Sequence, residues 1–304
     1  MELRAAHLDL RDRLVAAGRL VPTGVDGVYG RDADFERVVD AVSGAVSALG
    51  AGEGPTRIDF PPLIPRTTFE AIGYLRSFPQ LSGVVHSFAG DDRSHAELIR
   101  RLDEGEPYAS VLAPTDVTMT PACCYPLYPT LPDSIGGDGA ALETCGYCFR
   151  HEPSVDPMRL QAFRQHEHVR VGTADQVEAW RELWLRRAPE LLGDLGLEHH
   201  SEYGNDAFFG RGGRLMSMSQ RELELKTEFL VPVFGAEHAT ACASVNYHQD
   251  RFGQLFGVRT PDGAAAHSAC VGFGLERCAI ALFAAHGIEV AAWPVAVRTR
   301  LWGA

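Results

Sequence analysis

The stretch CFRHEPSVDPMRLQAFRQHEHVRVG, residues 148–172, constrains the fold more than any other. Its ends, 147–151 and 163–171, read as β-strands, and the loop between them carries Pro153 and Pro157, which break regular pairing. Strands joined directly by an irregular loop run antiparallel, because a parallel return needs a crossover of a dozen or more residues. Arg150, Glu152, Arg159, Arg164 and Arg170 crowd into this hairpin with Phe163. Alternating arginines present forked donors to a polyphosphate, and an aromatic ring offers a stacking face to a base. The competing reading is a solvated hairpin of weak charge pairs.

The rest of the chain extends the antiparallel pattern. In 32–50, Phe35, Val38, Val39, Val42, Val46 and Leu49 recur at helical spacing, with Asp32 or Asp34 as cap and Gly50 at the end. TRIDFPPLIP reads as a short strand stopped by Pro61 and Pro62, and GVVHSF and YASVLAPT as further strands, so strands dominate the middle. Thr173 caps a second long helix that buries Val177, Trp180, Leu183, Trp184, Leu191 and Leu192 and stops at Gly193 or Gly196. Residues 239–247 alternate as a strand, and HSACVGFGLERCAIALFAAHG reads as strand, glycine turn and buried helix. The expectation is an α+β protein, a mostly antiparallel sheet flanked by helices, in a single domain over 1–304 without repeats or long linkers.

With 304 residues, 45% of them hydrophobic, the chain can bury a full core. The N-terminus is charged throughout, and no apolar run reaches the roughly 18 residues of a membrane span, so a cytoplasmic protein is expected. Seven cysteines without an export signal argue against a disulfide framework and leave thiols for metal or packing. A formal charge of −12 disfavours a broad nucleic-acid surface.

Cys270, in SACVGFGLER, is not needed by the glycine turn that Gly272 and Gly274 are expected to make. Buried cysteine often serves as a small hydrophobe, and Cys242 and Cys278 read that way. Cys145 and Cys148 of CGYC have no second close pair and open no helix, so neither redox nor metal function is expected of them. Strand alternation turns Glu167 to one face and His166 and His168 to the other.

FRHE, its loop and RLQAFRQHEHV resemble motif 2 of the class II aminoacyl-tRNA synthetases, and GFGLERCAIALF resembles motif 3. RIDFPPLIPRTTFEAIGYL is similar to the motif 1 region, while APTDVTMTPACCYPLYP and ASVNYHQDRFGQLFGV resemble the flanks of the amino-acid pocket in seryl-tRNA synthetases. Those enzymes carry an N-terminal coiled coil that grips tRNA, whereas only about 30 residues without sustained heptads precede the first long helix here. TPACCYPLYP, FRHEP, FRQHEHVRVG and HSACVGFGLER most resemble the amino acid:[carrier protein] ligases, truncated synthetase homologues that charge a phosphopantetheine thiol.

The resemblance implies a Zn2+ site of Cys124, Glu167 and Cys270, with Cys123 as the rival to Cys124. Two thiolates and a carboxylate leave one place of a tetrahedral ion for a substrate amino group. It further implies ATP with Mg2+: Arg150 on the α-phosphate, Glu152 on adenine, Phe163 stacked on the purine, Arg159 nearby and Arg277 on the γ-phosphate. Asp116, Ser244 and Asn246 would contact the amino acid, with Lys226 and Glu228 close by, and Thr240 stands where the relatives hold a magnesium-binding acid, Glu237 being the nearest. The expected substrates are glycine or alanine and a phosphopantetheinylated carrier protein, without tRNA or membrane, in a homodimer built on motif 1. The alternatives are a small tRNA-charging enzyme and a non-catalytic regulatory paralogue, the latter disfavoured because Arg150, Glu152, Phe163 and Arg277 are all present.

Overall fold

The structure, a computed structural model, describes residues 2–204 and 224–303. Its centre is a seven-stranded sheet of order β3-β7-β8-β12-β11-β10-β9, with β3 Thr56–Arg57, β7 Ala140–Phe149, β8 Ala162–Gly172, β9 His200–Tyr203, β10 Lys226–Val231, β11 Thr240–Gln249 and β12 His267–Gly274. Every pairing is antiparallel except the short β3 edge on β7. Beside it stand a hairpin of β1 Leu20–Pro22 and β2 Tyr29–Arg31, and a three-stranded sheet of β4 Leu63–Pro65, β6 Ala113–Met119 and β5 Val84–Ser87.

The helices are α1 Glu2–Ala16, α2 Ala33–Gly50, α3 Arg66–Ala71, α4 Tyr74–Ser77, α5 Asp92–Glu104, α6 Ala174–Asp194, α7 Arg251–Phe256, α8 Leu275–His286 and α9 Val295–Trp302. Asp32 caps α2, accepting from the Phe35 amide at 2.8 Å, and Thr173 with Gln176 forms a reciprocal capping box on α6. Helices α2, α6 and α8 cover one face of the sheet, where Val38, Val42, Trp184 and Phe283 meet Ala269, Val271 and Phe273 of β12. The alternate residues Cys270, Gly272 and Gly274 turn to the other face and an open cavity. Among the described residues no helix is long and apolar enough to cross a membrane.

Several local expectations change. TRIDFPPLIP pairs only through Thr56–Arg57 before its prolines and forms the separate β4 beyond them. In YASVLAPT, residues 109–111 make a 3-10 turn and the strand begins at Ala113. Helix α1, ahead of the first expected helix, buries only Leu10 and Leu14, and α5, in the stretch read as strands, buries nothing. Helix α1 offers no wide apolar stripe, so its periodicity is faint, whereas Leu98, Ile99 and Leu102 of α5 do recur at helical spacing on an otherwise charged helix. Gly272 and Gly274 sit in extended backbone and make no left-handed turn. Gly272 instead leaves room, since a Cβ there would lie 3.2 Å from Cγ of Glu167.

Where α2 ends over β8, the His168 imidazole occupies the space a side chain at 50 would take: a Cβ on Gly50 would lie 2.2 Å from its Cε1. His168 Nε2 donates to the Val46 carbonyl at 3.1 Å, and the ring stacks on Trp184 at 4.9 Å between centroids. Gly50→Ala is therefore expected to destabilise the protein by about 1–3 kcal/mol through overpacking. Chemical denaturation checks it, because helix propensity alone predicts stabilisation of about 1 kcal/mol.

Candidate active site

The cavity on the open face measures about 670 Å³, within the usual range for a small-molecule site. Register builds one end of it. Gly272 pairs with Glu167 across β12 and β8, and Cys270 pairs with Asn246 across β12 and β11, so Glu167, Cys270 and Asn246 share a face. The loop after β6 supplies Cys124, and the ligand atoms of Cys124, Glu167 and Cys270 all lie within 4.8 Å of one another, buried. Cys124 lines the cavity, whereas Cys123 is buried behind that lining against β8, its Sγ 3.4 Å from the Gln165 carbonyl and 3.4 Å from Glu167 Oε1.

This trio suits a soft dication. The Cys124 thiol is held well above its ordinary pKa by its hydrogen bond with Cys270, by burial and by the Glu167 charge. For Cys270 the bond with Cys124 pulls the opposite way, yet burial and Glu167 leave its thiol raised as well. Among the described residues no Lys, Arg or His lies within ion-pair distance of Glu167. A buried carboxyl beside two thiols, without a protein cation, is a donor set that a metal ion satisfies.

At the other end, Arg150, Arg159, Arg277, Glu152 and Phe163 line the same cavity. Arg150 Nε donates to the Pro121 carbonyl at 3.1 Å, and its guanidinium lies over the Phe163 ring, 5.4 Å from the centroid. Arg277 Nε and Nη1 donate to the carbonyls of Met158 and Ala241 at 2.9 and 3.0 Å, which fixes the fork. Burial and the charges of Arg150 and Arg159 lower its pKa, the mark of cations gathered for an anion. Arg159 pairs with Glu152 at 3.4 Å.

Not every expected residue arrives. Asp116 lies on β6 outside the cavity lining, its side chain fully exposed and 3.7 Å from Arg66, because β6 belongs to the small second sheet. Ser244 and Asn246 do line the cavity, linked by Asn246 Nδ2–H to Ser244 Oγ at 3.2 Å. Lys226 and Glu228 line it as an ion pair of 2.9 Å. Thr240 reaches it and Glu237 does not. Arg164 and Arg170 also leave the hairpin's phosphate face: Arg170 binds the Asp138 carbonyl, and Arg164 serves the buried Glu276.

Glu276, beside Arg277, is a structural residue that the sequence did not single out. Its carboxylate accepts from the Arg164 amide at 2.6 Å and from Arg164 Nε at 2.8 Å, and lies 3.2 Å from Arg31. It thereby ties α8 to β8 and β2. Behind Glu167, the histidines find a different acid from the one between them: the β7–β8 register puts Glu143 opposite His168. The ligand atoms of Glu143, His166 and His168 also lie within 4.8 Å of one another. Burial pushes His166 down to about 4, so the ring is neutral; Nε2–H donates to Glu143 at 3.0 Å and Nδ1 accepts from Ser43 at 2.8 Å. Hydrogen bonds account for both nitrogens. Cys145 and Cys148 stand three apart on β7, on opposite faces, and Cys242 and Cys278 pack in the core.

No family model matches the chain. Among solved structures, the M. kandleri SerRS crystallised with A. aeolicus tRNASec superposes with a TM-score of 0.81 at 21% identity, over 96% of this chain and 60% of that one. The cytoplasmic serine-tRNA ligase of Naegleria fowleri, in complex with AMP, gives 0.70 at 14% identity over 98% of this chain and 59% of that one. The fold is that of the class II aminoacyl-tRNA synthetase catalytic domain. Amino acid–[acyl-carrier-protein] ligase 2 of Bradyrhizobium diazoefficiens is 43% identical over 280 residues, 91% of this chain and 84% of the relative. Ligase 1 of the same organism is 39% identical over 277 residues, 90% and 85% respectively. The type-2 serine–tRNA ligase of Methanopyrus kandleri is 26% identical over 266 residues, 80% of this chain and 50% of the relative. The chain belongs to the amino acid–[acyl-carrier-protein] ligases.

Removing one side of the buried Glu276–Arg164 pair leaves an uncompensated charge. Glu276→Ala is expected to lower unfolding free energy by about 3–5 kcal/mol, measured by denaturant titration; a loss under about 1 kcal/mol contradicts the anchoring role.

Proposed function

We propose that the protein is a zinc-dependent ligase that activates glycine or alanine with ATP to an aminoacyl-adenylate and passes the acyl group to the phosphopantetheine thiol of a carrier protein. The observation that carries this reading is the shared cavity, with a Cys-Glu-Cys donor set at one end and converging arginines at the other. Cys124, Glu167 and Cys270 would hold Zn2+, which when bound offers an open coordination place to the substrate amine and so selects against acids lacking one.

The remaining roles follow from the chain's own groups. Arg150, Arg159 and Arg277 bind and orient the phosphates of ATP, which enters with Mg2+, and Phe163 with Glu152 receives the base. The substrate carboxylate attacks the α-phosphorus in line; the new P–O bond forms as the bond to pyrophosphate breaks. Arginines held by backbone carbonyls neutralise the charge on the phosphate oxygens without reorganising. The carrier thiolate then attacks the acyl carbon, forming the C–S bond and releasing AMP. A free thiol is already thiolate to a few per cent at about pH 7 and is intrinsically very nucleophilic, so no strong base is required of the protein. Ser244 and Asn246, on the strand paired with that of Cys270, would hydrogen-bond the small amino acid, a role supported by their lining the cavity. A homodimer built on the motif 1 region completes the proposal.

The test incubates the protein with ATP, Mg2+, labelled glycine, alanine or serine, a phosphopantetheinylated carrier and bulk tRNA. Label on the carrier, released by hydroxylamine and untouched by ribonuclease, is expected. Label on RNA assigns a tRNA-charging enzyme, and no label with no pyrophosphate exchange assigns a regulatory paralogue. Cys270→Ser is expected to lose both zinc and amino-acid activation, whereas Arg277→Ala loses ATP use and retains zinc, as metal analysis and pyrophosphate exchange measure.

A further inference from the structure

One imidazole in the cavity has no part in the scheme so far. His248, half-buried on β11, points Nε2 at the Cys270 sulfur, 3.6 Å away. Its Nδ1 lies 3.2 Å from the Tyr128 hydroxyl and 3.2 Å from Ser268 Oγ. The aromatic rings of Tyr128 and Phe252 pack around it, at 5.9 and 4.9 Å between centroids, both edge-on.

The backbone is shaped to deliver this side chain. The β11–β12 register slips between Tyr247 and Gln249, a bulge that takes His248 out of one-to-one pairing and lets it reach both Ser268 and Cys270. Gln249 adopts φ 54°, a left-handed conformation that is costly for a residue other than glycine. Asn246 Nδ2 also donates to the Cys270 sulfur, at 3.5 Å, while among the described residues no nitrogen donor reaches the Cys124 sulfur. The two thiols are thus differently served.

We propose that His248 is a positioning residue of the metal centre: it donates Nε2–H to the Cys270 thiolate, and Tyr128 and Ser268 hold the ring in the tautomer that can do so. This rests on the Cys124–Glu167–Cys270 reading. A metal-bound thiolate is only an acceptor, so the nitrogen facing it must carry the proton. The other nitrogen then holds a lone pair, and two hydroxyls stand ready to donate to it. Donation to sulfur withdraws charge from the ligand and fixes its direction, the general task of partners behind metal ligands.

The test measures zinc affinity by competition with a chromophoric chelator, and the thiolate-to-cobalt charge-transfer band after cobalt substitution, in wild type, His248→Phe, His248→Gln, Tyr128→Phe and Cys270→Ser. His248→Phe is expected to weaken zinc roughly 10–100-fold and to move the band to lower energy. His248→Gln, which keeps an N–H donor, restores most of both, and Tyr128→Phe falls between. Wild-type zinc affinity and an unmoved band in His248→Phe, with zinc lost in Cys270→Ser, overturn the inference alone. Wild-type zinc affinity in Cys270→Ser overturns the reading beneath it. Should His248→Phe fail to fold, wild-type zinc affinity and an unmoved band in Tyr128→Phe, with zinc lost in Cys270→Ser, overturn the inference.

Discussion

Two thiols and a carboxyl lie buried within reach of one another, a donor set that suits a cation, and much of the surrounding structure serves to keep them together. Glu167 and Cys270 come from neighbouring strands, so their separation is set by sheet geometry, and Gly272 opens the space that the Glu167 side chain fills. Cys124 arrives from a loop whose flanking residues Leu127 and Tyr128 are packed beneath it.

On the helix-covered face, the polar side chains directly behind Glu167 find partners. His166 and His168 sit behind Glu167, each hydrogen-bonded to α2 and, for His166, to Glu143, which Arg57 approaches at 3.2 Å. A strand fixed so firmly on one side can carry a functional carboxyl on the other without drifting in register. Glu276 does the same for the arginine-lined end, gripping Arg164 and Arg31 where the first turn of α8 brings Arg277 to the cavity. Anchoring behind the cavity helps hold Arg277, which lines it together with Arg150 and Arg159.

Much of this was legible beforehand, and the residues show why. Antiparallel strands followed from a hairpin with two prolines, and α2 and α6 from apolar spacing and caps, all local signals. Glu167 and the histidines followed from strand alternation. What failed was non-local. Asp116 lies in a strand of the second sheet, and nothing in its neighbours reveals which sheet a strand joins. Arg164 carries the same side chain as Arg150, and only the fold brings Glu276 to it. Glu143 meets the histidines through a pairing register that no single segment contains. Helix α1 buries too little to announce itself. His248 was within reach, two residues beyond Asn246 on one strand face, had alternation been followed to the end of β11.

The central claim, a proposal, is that the Cys-Glu-Cys cluster binds zinc through those side chains. X-ray absorption at the zinc edge of the purified protein tests it without recourse to activity. The account predicts two sulfur scatterers at about 2.3 Å with oxygen or nitrogen at about 2.0–2.2 Å. A zinc shell without sulfur, or with four sulfurs, would contradict it.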